Sequence, residues 1–174
     1  PNVDYEVKTT FLLSIKITDS GVHGFDESMN FASMSDKAQL TINVIDVNEP
    51  PVMTDLFFAV NENSVPGTVV GTATATDPDN LPTLTQTLTF SIIGEGNIDN
   101  AFEINSATGQ IRVLTTAPLN FEVRTSFNVE VQARDDGAGN LVGSRVLTIN
   151  LNDVNEEPVV NDATRSVSEN SVIG

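Results

Sequence analysis

Asp77-Pro78-Asp79 sets two carboxylates one residue apart around a proline, and Asp46-Val47-Asn48-Glu49-Pro50-Pro51 sets acid, amide and acid between an apolar run and two prolines. These side chains offer oxygen donors alone. Oxygen-rich turns of this kind suit a hard cation, and paired acids also suit proton transfer, as in glycoside hydrolysis. The same residue types recur in Asp4 and Glu6, in Ala133-Arg134-Asp135-Asp136-Gly137, and in Asp153-Val154-Asn155-Glu156-Glu157-Pro158, which nearly restates the 46–50 string. A polar turn that only ends a strand needs no such repetition.

Other chemistries are poorly provided for. With no cysteine there is no disulfide framework, thiolate metal site or cysteine nucleophile. His23 is the single histidine, in Gly21-Val22-His23-Gly24-Phe25-Asp26-Glu27, with no second nitrogen or sulfur ligand beside it; it reads as a loop residue rather than a transition-metal ligand or hydrolase base. No glycine-rich phosphate loop precedes a helix, and no Trp and one Tyr give little material for a sugar cleft. The 24 acids against 8 Lys and Arg leave a formal charge of -16, which disfavours nucleic acid and anionic membrane surfaces and favours cations. There is no apolar run of spanning length and no signal-peptide pattern, so direct membrane insertion is not expected of these residues. Both ends fall in mid-pattern, as expected of a segment whose targeting signals lie elsewhere.

The elements that position the acids follow from an internal repeat. Asp46-Val47-Asn48-Glu49 matches Asp153-Val154-Asn155-Glu156, Leu40-Thr41-Ile42-Asn43-Val44 matches Leu147-Thr148-Ile149-Asn150-Leu151, and Val60-Asn61-Glu62-Asn63-Ser64-Val65 matches Val167-Ser168-Glu169-Asn170-Ser171-Val172, all offset by 107. Tyr5-Glu6-Val7-Lys8-Thr9-Thr10-Phe11 matches Phe121 to Phe127 at an offset of 116, which implies nine extra residues between Gly21 and about Ala38. Residues 1–50 are therefore expected to be the back half of one unit, 51–157 a complete unit, and 158–174 the first strand of a third.

Within the complete unit the hydrophobic period is two. Phe127, Val129, Val131 and Ala133 alternate with polar residues, as do Leu147, Ile149 and Leu151, and Leu88, Phe90 and Ile92. Shorter strands are expected at about 56–61, 68–75, 102–104 and 110–114. Seven strands with Gly, Pro, Asp and Asn between them, and no helix-length amphipathic run, specify an all-β fold: a seven-strand Greek-key β-sandwich of immunoglobulin-like class. The 39% hydrophobic content is enough for its core. In the first unit Phe11, Leu13, Ile15, Ile17, Leu40, Ile42 and Val44 are the inward positions of a hairpin that lacks most of its sandwich. Its apolar face and edge are open to another copy of the chain, and a strand-exchanged homodimer is one expected outcome.

A sandwich of this kind brings the bottom of one unit to the top of the next. Asp4, Glu6, Asp46, Asn48, Glu49, Asp77, Asp79 and Asp135 should then converge on one junction. Seven of these are carboxylates, with almost no basic residue to pair them, and like charges that close are costly unless cations intervene. Calcium accepts six to eight oxygens in irregular geometry, whereas magnesium wants a tighter octahedron and zinc wants nitrogen or sulfur.

The strings DVNEPP and DVNEEP, NENSVPGT, ATDPDN, FEINSATGQI, LNFE and ARDDG together resemble cadherin repeats across all three units. The resemblance implies a calcium-rigidified extracellular rod used in adhesion, with another protein copy or a cell-surface partner, and no enzyme. It assigns Asp4 and Glu6 to the family's LDRE-type acids and Asp46, Asn48 and Glu49 to its interdomain linker. Asp77 and Asp79 become its DxD pair, and Asp135 the acid of its AxDxG strand end. Glu49 stands for the usual Asp and Pro50 for an Asn. At the second junction it supplies Glu62, Glu122, Asp153, Asn155 and Glu156, with Asn120 in place of an acid, so binding there should be weak or completed by another molecule. Asp19 and Glu169 match motif positions whose partner groups are expected outside these residues, and they read as exposed acids. Two alternatives stay open: a carbohydrate-binding or spacer module of a bacterial extracellular protein, and a hydrolase accessory domain with a site in the insertion near His23. Phe25, Met29, Phe31 and Met34 of that insertion read as a loop folding back on its own sandwich, or as a contact surface.

Overall fold

The structure is a computed structural model, and it describes residues 3–19, 33–80, 85–114, 119–160 and 162–170. It is all-β. β1 (Thr10–Thr18) and β2 (Ser35–Asn43) form a hairpin by themselves; β3 (Val52–Met53) to β11 (Val142–Asn152) form the sandwich.

One sheet of the sandwich runs β4 (Phe57–Asn61), β11, β10 (Ser126–Arg134), β7 (Thr89–Ile93). The opposite layer pairs β3 with β6 (Ala75–Thr76), and β5 (Val69–Thr72) with β9 (Gln110–Val113) and β8 (Phe102–Ile104). All neighbours are antiparallel except β4 and β11. Nine elements thus trace seven strand paths, two of them broken. The first path pairs β6 through β3 and then crosses to pair β11 through β4. The second, expected as one strand over 68–75, breaks between β5 and β6. The ladder there shifts register between Val69 and Gly71, and Ala73 N–H turns to the carbonyl of Gly109 at 2.9 Å. Gly71 is required at the break, because a Cβ on it would collide with the ring of Phe58.

Period-two alternation does what it must on a two-faced sheet. Phe127, Val129, Val131 and Ala133 of β10 and Leu147, Ile149 and Leu151 of β11 are buried, while Asn128 and Arg134 are exposed. Across the core Phe102 meets Phe127 edge to face, with ring centroids 5.1 Å apart. Ile111 and Val113 of β9 complete the opposite wall. A fully buried side chain of these types contributes about 1.5–3 kcal/mol, so this layer holds the loops that carry the acids.

The hairpin repeats β10–β11 residue for residue. Phe11 faces Ile42 as Phe127 faces Ile149, and Thr18 faces Ser35 as Arg134 faces Val142. Lys8 lies 4.5 Å from the ring centroid of Phe11, and Arg124 lies 5.0 Å from that of Phe127. The hairpin, however, has no second layer among the described residues: Leu13, Ile15, Leu40 and Ile42 are 44–47% exposed and Ile17 is 73% exposed.

Two expectations need correction, and a third falls mostly outside the described residues. Residues 35–38, placed in the insertion, are strand and pair with 15–18, so the extra length falls within 19–34. His23, Phe25, Met29 and Phe31 lie outside the described residues; Met34 is exposed. Residues 162–168, expected as a strand, carry no ladder. The equivalent β4 is a strand because β11 lies parallel to it, and this tail has no such mate among the described residues.

Candidate metal centres

The first acidic centre forms where the 44–51 linker lies against the end of the sandwich. Asp77 and Asp79 follow β6, and Asp135 follows β10; all three are buried at 7%, 2% and 2% exposure. Asp77 Oδ1 accepts the N–H of Asp79 at 3.0 Å, a turn that Pro78 pre-sets by fixing φ. Asp135 Oδ1 accepts the N–H groups of Gly137 (3.1 Å) and Leu141 (2.9 Å), which closes the loop between β10 and β11. The linker is tied in by Glu49 N–H to Asp79 Oδ2 at 2.9 Å and by the Asn48 side-chain amide to Asp135 Oδ2 at 3.0 Å. From the hairpin side, Glu6 brings its carboxylate to within 4.8 Å of those of Glu49 and Asp79. Asp4 bears on Glu49 through its charge, and Asp46 lines an open cleft with Asn48, Asp79, Asp136 and Gly137. All eight residues expected at this junction are therefore present around one place.

Its electrostatics are those of a site short of positive charge. Burial pushes the Glu49 carboxyl above its ordinary value, and its contact with Asp79 and the charges of Glu6, Asp79 and Asp4 push further. Burial also raises Asp77, with Asp79 and Asp135 adding to it against the lowering effect of the Asp79 amide. Glu6 Oε1, Glu49 Oε2, Asp77 Oδ2 and Asp79 Oδ1 are buried without a hydrogen-bond partner. Arg145 pairs with Asp55 on exposed surface rather than with any of these buried carboxylates. Buried anionic oxygens without partners carry a full desolvation cost, and four of them converging from three loops fit a hard cation.

The second acidic centre is built by the end of β4, the 121–123 turn and the linker after β11. Glu62, 2% exposed, accepts the N–H of Phe121 on Oε2 at 2.7 Å and the N–H of Val154 on Oε1 at 2.8 Å. These two backbone donors hold its carboxyl below the ordinary value. Glu122, Asp153 and Glu156 each bring an oxygen within 4.8 Å of the others and of Glu62. Desolvation and then the charges of Glu122 and Glu62 push Glu156 up, against a hydrogen bond from the Asn63 amide at 2.8 Å. Asn155 lies in the same linker and is exposed. Asn63 holds φ of 55° and Asn170 φ of 61°, a left-handed conformation that Asn tolerates. That turn therefore recurs in the tail, where Glu169 is exposed.

Asp19, expected as a plain exposed acid, is exposed but structurally engaged. It donates its N–H to the Met34 carbonyl at 3.0 Å and accepts the Met34 N–H on Oδ1 at 3.0 Å, as Asp135 does with Leu141 at 3.1 and 2.9 Å. Three participants were missed. Asn63 braces Glu156, and Asp136 Oδ1 accepts the Thr87 N–H at 2.8 Å. Gln86 donates to Asn48 Oδ1 at 2.7 Å and to Asp79 Oδ2 at 3.2 Å. Asn63 had a signal in the repeated Glu-Asn-Ser string and Asp136 in the Asp135-Asp136-Gly137 run; Gln86 had none.

The family model described as the cadherin domain matches residues 57–152. Protocadherin Fat 4 of Homo sapiens is 36% identical over 148 residues, covering 81% of this chain and 3% of that protein. Cadherin-17 of Rattus norvegicus is 36% identical over 123 residues, covering 70% of this chain and 14% of that protein. The chain thus spans a small part of the curated relatives it matches. Among solved structures, mouse cadherin-23 EC22-24 matches with a TM-score of 0.59 at 29% identity, over 88% of this chain and 45% of that one. Protocadherin gamma B2 extracellular cadherin domains 1-5 match with a TM-score of 0.61 at 24% identity, over 88% and 28%, which bears on the fold alone. The β-sandwich, the repeated strings and the family match agree: the chain belongs to the cadherin domain family.

Proposed function

We propose that the chain is a calcium-binding, non-enzymatic segment of an extracellular adhesion protein, in which cations at the two acidic centres stiffen the joints between consecutive repeats. Residues 1–50, 51–157 and 158–174 are then the back half of one repeat, a whole repeat and the opening of a third. The observation that carries the reading is the set of buried, unpartnered carboxylate oxygens on Glu6, Glu49, Asp77 and Asp79, drawn from both sides of the linker. Asp4, Glu6, Asp46, Asn48, Glu49, Asp77, Asp79 and Asp135 would hold calcium at the first joint, and Glu62, Glu122, Asp153, Asn155 and Glu156 at the second. All of these are oxygen donors, and their irregular placement suits calcium better than the octahedron of magnesium.

Bound calcium would supply the positive charge that lets these carboxylates stay close. The chain's own residues do the rest. Asp135 and Glu62 spend their oxygens on backbone N–H groups and so fix the loops, while Asn48 and Glu49 fasten the linker to the sandwich. Because the ligands come from two units, cation binding opposes bending between them. A cation at a hundred times its dissociation constant would add about 2.7 kcal/mol to stability. Another copy of the chain or a cell-surface protein is the partner such a rod presents itself to. The exposed face of β1–β2 is open to the front-half strands of its own repeat or, in their place, to a second copy.

Chelation with EDTA is expected to lower the Tm and to raise the radius of gyration in small-angle scattering. Calorimetric titration of Asp77→Ala should lose the tightest calcium sites. If chelation leaves both Tm and scattering unchanged, the reading fails.

A further inference from the structure

Gln86 sits between the two DxD and strand-end carboxylates without being an acid itself, and the chemistry of its neighbours fixes which way its amide points. Asp79 Oδ2 accepts at 3.2 Å and can only accept, so the Gln86 NH2 must face it. The Asn48 NH2 must likewise face Asp135 Oδ2 at 3.0 Å, which turns Asn48 Oδ1 toward the second Gln86 proton at 2.7 Å. A neutral relay results: Asp135 accepts from Asn48, Asn48 accepts from Gln86, and Gln86 donates also to Asp79. Two like charges are thereby each given an N–H and held apart by two amides.

The loop is arranged to keep Gln86 there. Its own N–H donates to Asn80 Oδ1, and the next N–H, that of Thr87, donates to Asp136 Oδ1 at 2.8 Å. Residue 137 must lack a side chain for the relay to fit. A Cβ on Gly137 would collide with Asn48 Oδ1 and press on Gln86 Oε1, although nothing in its backbone angles demands glycine. Gln86 Oε1 is buried without a partner, so the side chain stays for what its NH2 does.

We propose that Gln86 is a positioning residue of the first acidic centre, orienting Asn48 and Asp79 for the cation before it arrives, with Gly137 providing the space. The proposal rests on the calcium reading of that centre. Groups that orient metal ligands typically change affinity 10- to 100-fold when removed. Gln86→Ala should therefore weaken calcium at the first centre by about tenfold and leave the second centre within twofold. Gln86→Glu cannot donate and places another charge against Asp79 and the Asn48 carbonyl oxygen, so it should be the worse variant. Gly137→Ala should reproduce the Gln86→Ala loss with Gln86 intact.

The test is a calcium titration of the full chain by NMR, following the side-chain amide of Asn48 for the first centre and that of Asn63 for the second. The metal-free spectra give an independent readout. The Asn48 amide proton held by Asp135 should be shifted and protected from solvent exchange in the wild type and should lose that protection in Gln86→Ala, while Asn63 is unaltered. A first-centre affinity in Gln86→Ala equal to the wild type, or an unchanged Asn48 amide, overturns the proposal alone. A wild type that takes up no calcium at either centre overturns the calcium reading and the proposal with it. A variant that loses both centres together has lost its fold rather than its relay, and then Gly137→Ala decides: equal affinity at the first centre overturns the proposal, a selective loss supports it.

Discussion

Asp4 and Asn120 close the same turn at matching positions of the repeated strings, 116 residues apart. Asp4 Oδ1 accepts the N–H of Val7 at 3.0 Å and Asn120 Oδ1 that of Val123 at 2.8 Å, and in each the residue after the turn, Lys8 or Arg124, donates its N–H to the backbone carbonyl at 3.0 Å. The turn needs one oxygen, which acid and amide both supply; only the acid adds a charge.

Asn120→Asp is accordingly expected to leave the turn intact and to tighten calcium at the second centre by about tenfold, or ~1.4 kcal/mol, the scale of one added charge at a wet site. Without metal the same change should lower the Tm slightly, because it adds a carboxylate to the group formed by Glu62, Glu122, Asp153 and Glu156. Calorimetry and melting in EDTA check both signs; unchanged affinity would show that position 120 acts only through its turn.

The two hairpins share a register and differ in what covers them, so matched substitutions separate strand pairing from burial. Ile149→Ala removes a side chain with 0% exposure and should cost about 2–5 kcal/mol, while Ile42→Ala, at 45% exposure, should cost under about 1 kcal/mol. Urea unfolding followed by tyrosine and amide signals would read the difference. Comparable costs would mean that the β1–β2 face is covered in solution.

Hydrogen exchange should divide the molecule along the same line. The amides of β10 and β11, flanked by β7 and β4 and backed by the core, should exchange only through global unfolding. Those of β1 and β2, a two-stranded ladder with no opposite layer among the described residues, should exchange by local opening orders of magnitude faster. Protection of β1 and β2 that grows with protein concentration would identify a second copy as the cover.

Much of this was legible in the sequence because the governing signals are local and periodic. Alternation of Phe127, Val129, Val131 and Ala133 reports a sheet with one buried face, and Asp77-Pro78-Asp79 reports its own turn. The break between β5 and β6 was not legible, since it depends on the Phe58 ring filling the space over Gly71. Nor was Gln86, whose role comes from the Asp79 carboxylate 7 residues away and the Asn48 amide 38 residues away, the latter itself held by Asp135. A neutral side chain in a polar loop carries no mark of such neighbours. The acids advertised themselves by charge and spacing, whereas the groups that orient them are ordinary amides and a glycine.

Asp79→Asn should change the sign of its effect with calcium. The amide can keep one oxygen for the Glu49 N–H and the Gln86 NH2, both now on Oδ2, and turn its NH2 toward the carboxylates of Glu49 and Glu6, where Oδ1 now lies without a partner. In EDTA one of the charges that raise Glu49 and Asp77 is gone, so the variant should melt higher than the wild type. In millimolar calcium an oxygen ligand and its charge have been lost, so the variant should melt lower, and the two melting curves should cross as free calcium rises. Melting below the wild type under both conditions would mean that Asp79 holds the 77–80 turn rather than a cation, since its contribution would then be independent of the metal.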